Sequence, residues 1–246
     1  MGLHPVRELL RAGRAVRAVH VAAGREASDV LDEVLALAAE RRVPVRQVDR
    51  TAIDELAEGL VHQGIVATAP PFPYAGLDEV VERARARGEE PLLVALDGVT
   101  DPHNLGSIAR TAEAVGAHGL IVPSRRAAGV TATSEKAAAG ALAHLPLVRV
   151  PNLVRALKDL QRLGVWSVGL DADAPQSLYD CPLLDQPVAV VVGSEGRGLA
   201  RLSQVACDSL VNLPMRGRVG SLNASVAGAV ALYEILRRRN GTDGTR

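Results

Sequence analysis

From residue 91 onward, runs of branched apolar residues alternate with stretches of helical character, and few folds satisfy that alternation. The runs fall at 92–96, 119–122, 147–150, 165–170, 188–192 and 210–213. They are apolar at successive positions, so both faces of each strand must be covered. Helices are expected at roughly 105–116, 135–143, 153–163 and 199–206, with a long final helix at 224–238. Strand–helix alternation with two-sided burial implies an α/β fold, a parallel sheet with helices on both faces.

In such sheets ligands sit at the carboxyl ends of the strands. Three segments place glycine and polar residues directly behind an apolar run. The first is Leu96-Asp97-Gly98-Val99-Thr100-Asp101-Pro102-His103-Asn104, leading into a helix that carries Arg110. Asn104 is the expected N-cap. The bland alternative is that Asn104 only caps and Arg110 is a surface charge. The second is Val192-Gly193-Ser194-Glu195-Gly196-Arg197-Gly198, whose glycines let backbone amides approach a ligand. No Gly-Lys-Ser/Thr follows, and the glycine spacing is wrong for a dinucleotide fingerprint. The third runs from Leu213-Pro214-Met215 through Gly220-Ser221-Leu222-Asn223, and Ser221 or Asn223 is expected to cap the last helix. The small residues Ala224, Ser225, Ala227, Gly228 and Ala229 in that helix suit close packing, against the sheet or against a second subunit.

Residues 1–69 read as a smaller α/β unit, with a helix at 28–42, a strand at 43–48, a helical turn at 53–57 and a strand at 64–69. Pro70, Pro71 and Pro73 then prevent a regular ladder. A linker is expected at 70–90, containing a polar helix at 77–87, with the larger domain at 91–240 and a flexible tail at 241–246. The chain carries no net charge, so a basic surface covering the whole protein is excluded. Its charge is uneven: residues 1–25 hold Arg7, Arg11, Arg14, Arg17 and Arg25 against Glu8. Only Lys136 and Lys158 among 28 basic residues are lysine. Arginine suits phosphate, and a GC-rich genome would produce the same bias. The two cysteines form no C-x-x-C and are expected to be reduced in a cytosolic protein. No apolar run approaches the ~18 residues of a membrane span, and the N-terminus lacks the pattern of a secretory signal. No cluster has metal-ligand spacing, so no metal is expected.

Taken together, the three segments resemble the SpoU (TrmH) branch of the SPOUT RNA methyltransferases, and within it the enzymes that modify a guanosine of 23S rRNA. Gly2-Leu3-His4-Pro5-Val6 and His62-Gln63-Gly64-Ile65 resemble the two ends of that branch's N-terminal substrate-binding domain, which is L30e-like. The resemblance implies a SPOUT trefoil knot in the C-terminal sheet, a homodimer with shared active sites, and S-adenosylmethionine as methyl donor for a ribose 2′-hydroxyl. It implies catalytic positions at Asn104, Arg110, Glu195, Ser221 and Asn223. It implies cofactor positions at Gly193, Leu213 and Leu222, with Ser194, Gly198 and Met215 beside them. Residues 1–69 favour rRNA over tRNA as substrate, with an rRNA adenosine as a further alternative. A non-catalytic RNA-binding knot protein is disfavoured by intact Arg110, Glu195 and Asn223. Aromatic residues make up only 2% of the chain, so RNA contacts are expected from Arg7, Arg11, Arg125, Arg126, Arg197, Arg216 and Arg218 rather than from base stacking.

Overall fold

The computed structural model describes residues 1–70, 72–125 and 127–242, except for the side chains of Ala132 and Thr242. Arg126 therefore lies outside the described residues, as do 243–246. The N-terminal unit contains α1 (Leu3–Arg11), β1 (Ala18–Ala22), α2 (Asp29–Glu40), β2 (Val45–Val48), α3 (Arg50–Leu56) and β3 (Ile65–Thr68). Its sheet has the order β2-β1-β3, with β2 parallel and β3 antiparallel to β1. Val6, Leu10, Val19, Leu31, Val34 and Ile65 form its main core. Side chains start two of the helices: Ser28 accepts from the Leu31 amide at 3.3 Å and Asp49 from the Ala52 amide at 2.8 Å. The sequence pattern did not disclose α1 or β1. The Gly2 cap of α1 offers no side-chain hydrogen bond.

The expected linker divides in two. The Ala75 amide donates to the Leu147 carbonyl at 2.7 Å, and α4 (Leu77–Ala86) follows. Val80, Val81 and Ala84 of α4 are fully buried, and the two valines join a core beneath the large sheet. This stretch packs as part of the C-terminal unit, because its apolar stripe meets the sheet face.

The large sheet comprises β4 (Leu92–Asp97), β5 (Gly119–Pro123), β6 (Leu147–Val150), β7 (Trp166–Leu170), β8 (Gln176–Ser177), β9 (Val188–Gly193) and β10 (Ser209–Asn212). All its pairings are parallel, in the order β6-β5-β4-β9-β7-β10-β8. Only the two-residue β8 is absent from the sequence expectation. β9 inserts between β4 and β7, two strands already laid down, and the order is consistent with the SPOUT knot. One face of the sheet carries α5 (Pro102–Ala114) and α9 (Ala224–Thr242), and the other α4 and α7 (Leu153–Arg162). Each face has its own core, as parallel sheets require.

Several boundaries differ from expectation. Helix α5 begins before Asn104: Asp101 is its cap, accepting from the His103 amide at 2.8 Å, and Pro102 occupies the first turn. The single helix expected at 135–143 is α6 (Ala132–Ala137) followed by a 3-10 turn (Ala141–Ala143). Ala139 and Gly140 separate them at φ 51° and 100°, outside the helical range. Helix α8 (Arg201–Ala206) starts two residues later than expected. Helix α9 extends to Thr242, into the expected tail. The Arg239 guanidinium anchors that end, donating to the carbonyls of Glu90 at 2.7 Å and Gln186 at 2.9 Å. No helix among the described residues is long and apolar enough to cross a membrane.

Candidate active site

Strand β9 delivers its last residue, Gly193, into a loop that folds back on itself. Ser194 and Gly198 exchange backbone hydrogen bonds of 3.0 and 2.9 Å. A Cβ on Gly193 would lie 2.3 Å from the Gly198 carbonyl carbon, so only glycine permits this closure. The Asp97 carboxylate, at the end of β4, accepts from the Ala200 amide at 2.7 Å and ties the loop to the neighbouring strand.

The third segment leaves β10 and meets α9 at Asn223. The Asn223 Oδ1 accepts from the amides of Ser225 and Val226 at 2.9 and 3.2 Å. Asn223 is thus the cap, and Ser221 is not. The Asn223 amide donates to Asn104 Oδ1 at 3.1 Å and also to Glu195. Asn104, only 7% exposed, donates through Nδ2 to Glu195 Oε1 at 3.0 Å. Side chains 91 and 119 residues apart in sequence therefore form one hydrogen-bonded set. A buried amide must satisfy both its donor and its acceptor, and this set does so for Asn104.

Beside the set lies a pocket of about 280 Å³. Gly193, Ser194, Glu195, Gly198, Leu213, Met215, Ser221 and Leu222 all line it. Asn104 and Asn223 stand behind its wall, bonded to Glu195. Arg110 does not line the pocket: it is exposed on α5, about 9 Å further along the axis than Asn104 at 1.5 Å per residue. Asp171 and Asp173, just behind β7, also line the pocket beside Leu170 and are not among the residues the sequence pattern marks. Asp171 is held in place, accepting from Gln204 Nε2 at 2.7 Å and from the Asp173 amide at 2.9 Å. The signal was an apolar run ending in Asp-Ala-Asp, itself the carboxyl end of a parallel strand, but it has no glycine to draw attention.

The pocket pairs an apolar wall (Leu170, Val192, Val211, Leu213, Leu222 and Ala227) with the carboxylates of Asp171, Asp173 and Glu195. Such a site suits an adenine joined to a cationic centre, and the residues present fit S-adenosylmethionine. Cys207 is unsuited to nucleophilic work: burial, with Asp208 and Asp97 nearby, pushes its thiol up to about 12. Cys181 is buried, and both thiols are free.

Arg7 and Arg11, expected as RNA contacts, are taken up on α1 by protein contacts. Arg7 pairs with Glu8 at 2.9 Å, and Arg11 Nε donates to Glu33 at 2.8 Å. Arg14 stacks over Phe72 at 4.3 Å, and burial lowers its pKa. Arg125, Arg197, Arg216 and Arg218 are exposed.

Fold and pocket together define a class, the α/β proteins that bind a ligand at the carboxyl ends of a parallel sheet. The SpoU methyltransferase AviRb from Streptomyces viridochromogenes, solved with the cofactor AdoMet, overlays with a TM-score of 0.79 at 32% identity, covering 98% of this chain and 90% of that one. The chain belongs to the SpoU rRNA methylase family, whose model matches residues 91–233, and is an S-adenosylmethionine-dependent RNA methyltransferase. A second model, RNA 2′-O ribose methyltransferase substrate binding, matches residues 1–75. The putative TrmH family tRNA/rRNA methyltransferase YacO of Bacillus subtilis is 45% identical over 208 residues, 85% of this chain and 83% of YacO. An uncharacterized tRNA/rRNA methyltransferase of Mycobacterium ulcerans is 47% identical over 240 residues, 97% of this chain and 76% of that protein.

Proposed function

We propose that this protein methylates the 2′-hydroxyl of a guanosine ribose in 23S rRNA, acting as a cytoplasmic homodimer. The observation that carries the reading is the Asn104–Glu195–Asn223 set, which joins the three chemistry-bearing segments at the wall of one pocket. The match of residues 1–75 to a substrate-binding model supports a large structured RNA.

Bound S-adenosylmethionine supplies an electrophilic methyl group. The chain must hold the ribose oxygen in line and favour its loss of a proton. Glu195, fixed by two amide side chains, presents an oriented carboxylate at the pocket wall. Ser221 and residues 193–198 line the same pocket. Arginine brings a fixed positive charge to a site. The role of Arg110 is electrostatic, stabilising negative charge that develops on the ribose oxygen. Since Arg110 stands outside the pocket of its own chain, we assign it to the site of the second protomer. The exposed apolar residues Val226 and Tyr233 on α9 supply a face for that pairing.

Isothermal titration calorimetry with S-adenosylmethionine is expected to show micromolar binding by the wild type and by Arg110→Ala. Methyl transfer to 23S rRNA should fall by roughly 100-fold or more in Arg110→Ala, the magnitude of losing an electrostatic stabiliser. Mapping 2′-O-methylation on total RNA with and without the protein identifies the nucleotide. Absence of cofactor binding would overturn the enzymatic reading.

A further inference from the structure

We infer that a cleft in the N-terminal unit, between residues 22–28 and 59–64, seats the phosphate backbone of the RNA, with Arg50 and Arg25 as its cationic contacts. The inference rests on the RNA reading above and adds where the strand lies.

The cleft encloses about 910 Å³, against about 280 Å³ for the cofactor pocket. It opens at the carboxyl ends of the parallel pair β1 and β2, where the chain turns into α2 and α3. Its rim is backbone: Gly24 and Gly59 have φ of 72° and 80°, and a Cβ on either would meet nothing within 4 Å. Bare peptide groups of this kind can approach a phosphate closely.

The charges differ from those on α1. Arg50 is exposed and makes no ion pair or hydrogen bond among the described residues. Arg25 reaches across the cleft to donate to the Gln63 carbonyl, and its buried Nε has no partner. Two acids also line the cleft, Glu26 and Asp54. Asp54 is engaged, because His62 Nδ1 accepts from the Gly64 amide at 3.0 Å while Nε2 donates to Asp54 at 2.8 Å. That bridge holds Gln63 at φ 52°, a left-handed conformation that a non-glycine residue keeps only when its surroundings impose it. Among the described residues, no Phe, Tyr or Trp lines the cleft. Contacts there fall to phosphate and 2′-hydroxyl rather than to stacked bases.

The test is fluorescence anisotropy with labelled 23S rRNA fragments over a salt series. Arg50→Glu should weaken binding about tenfold and reduce the slope of log affinity against log salt by about 0.7–0.9, one phosphate contact. Arg155→Glu, at a side chain 82% exposed on α7, should stay within about twofold of wild type, a generic surface charge being worth little. Arg25→Gln should behave like Arg50→Glu. If circular dichroism shows that this variant has unfolded, Arg50→Glu decides alone. Equal effects of Arg50→Glu and Arg155→Glu would overturn the cleft, as would a partner protein rather than RNA protecting Arg50 from modification. Failure of the wild type to bind any rRNA fragment would instead remove the functional reading.

Discussion

Glu234 is 8% exposed on α9, with its carboxylate held by Arg237 and Arg238 at 2.8 Å. The hydrogen bond from Arg237 outweighs desolvation and, with Arg238, holds the Glu234 pKa down at about 2 against an ordinary 4.5. The unfolded chain therefore takes up this proton more readily than the folded one. The stabilisation is complete above about pH 4.5 and is lost as the pH falls towards 2. Thermal unfolding of the wild type should show a midpoint that drops across that window. Glu234→Gln should lower the midpoint at pH 7 and flatten the drop, and an unchanged pH profile would contradict the assignment. At the active site, individual residues were legible to different degrees. Gly193 and Glu195 stand directly behind an apolar strand, whereas Leu213 and Leu222 are marked only by the family resemblance. Asp171 and Asp173 likewise follow an apolar run, but only the pocket reveals that β7 ends beside β9.

Helix α5 carries Asn104 and must lie very close to α6. A Cβ on Gly106 would sit 2.5 Å from both the Ser134 carbonyl oxygen and Ala137 Cβ. Because Ser134 O belongs to the backbone, a side chain at 106 has to push whole helices apart. Gly106→Ala should cost about 1–3 kcal/mol, the range for overpacking, and lower the unfolding midpoint by about 2–4 °C per kcal/mol. It should also weaken S-adenosylmethionine binding, since Asn104 sits two residues away and Glu195 depends on it. Calorimetry finding unaltered affinity would show that the helix yields elsewhere. The start of α5 was misplaced from sequence because Asp101 and Asn104 are both good caps. Pro102 decides between them, since proline is favoured in a first turn and lacks the amide an interior position needs.

The two units meet through α1 and the 3-10 turn after α6. Glu8 bonds His144 Nε2 at 3.2 Å, and Arg14 reaches Glu135 at 3.9 Å. Gly140 is required there, as its Cβ would stand 2.5 Å from that of Glu8. This docking orients the N-terminal cleft relative to the cofactor pocket. Assembly sets the remaining relation, that of Arg110 to a pocket it does not line. If sites are shared across a homodimer, mixing inactive Arg110→Ala with inactive Glu195→Ala creates heterodimers with one intact site. Random exchange of subunits should then restore up to about a quarter of wild-type activity. No recovery after demonstrated exchange would place Arg110 and Glu195 in the same site of one chain.

The apolar runs after residue 91 were enough to specify a parallel sheet covered on both faces, because unbroken apolar strands have no other stable setting. Glycine and polar residues behind those runs marked where a ligand would lie. The order β6-β5-β4-β9-β7-β10-β8 was beyond local pattern. It decides that Asn104, Glu195 and Asn223 meet and that Asp171 lines the same pocket as Glu195. In the smaller unit, the packing of α1 on α2 pairs Arg7 and Arg11 with Glu8 and Glu33 and leaves Arg50 without an ion pair among the described residues. Periodicity records which face of an element is buried, whereas partners far apart in sequence are chosen by packing, which no short window of residues contains.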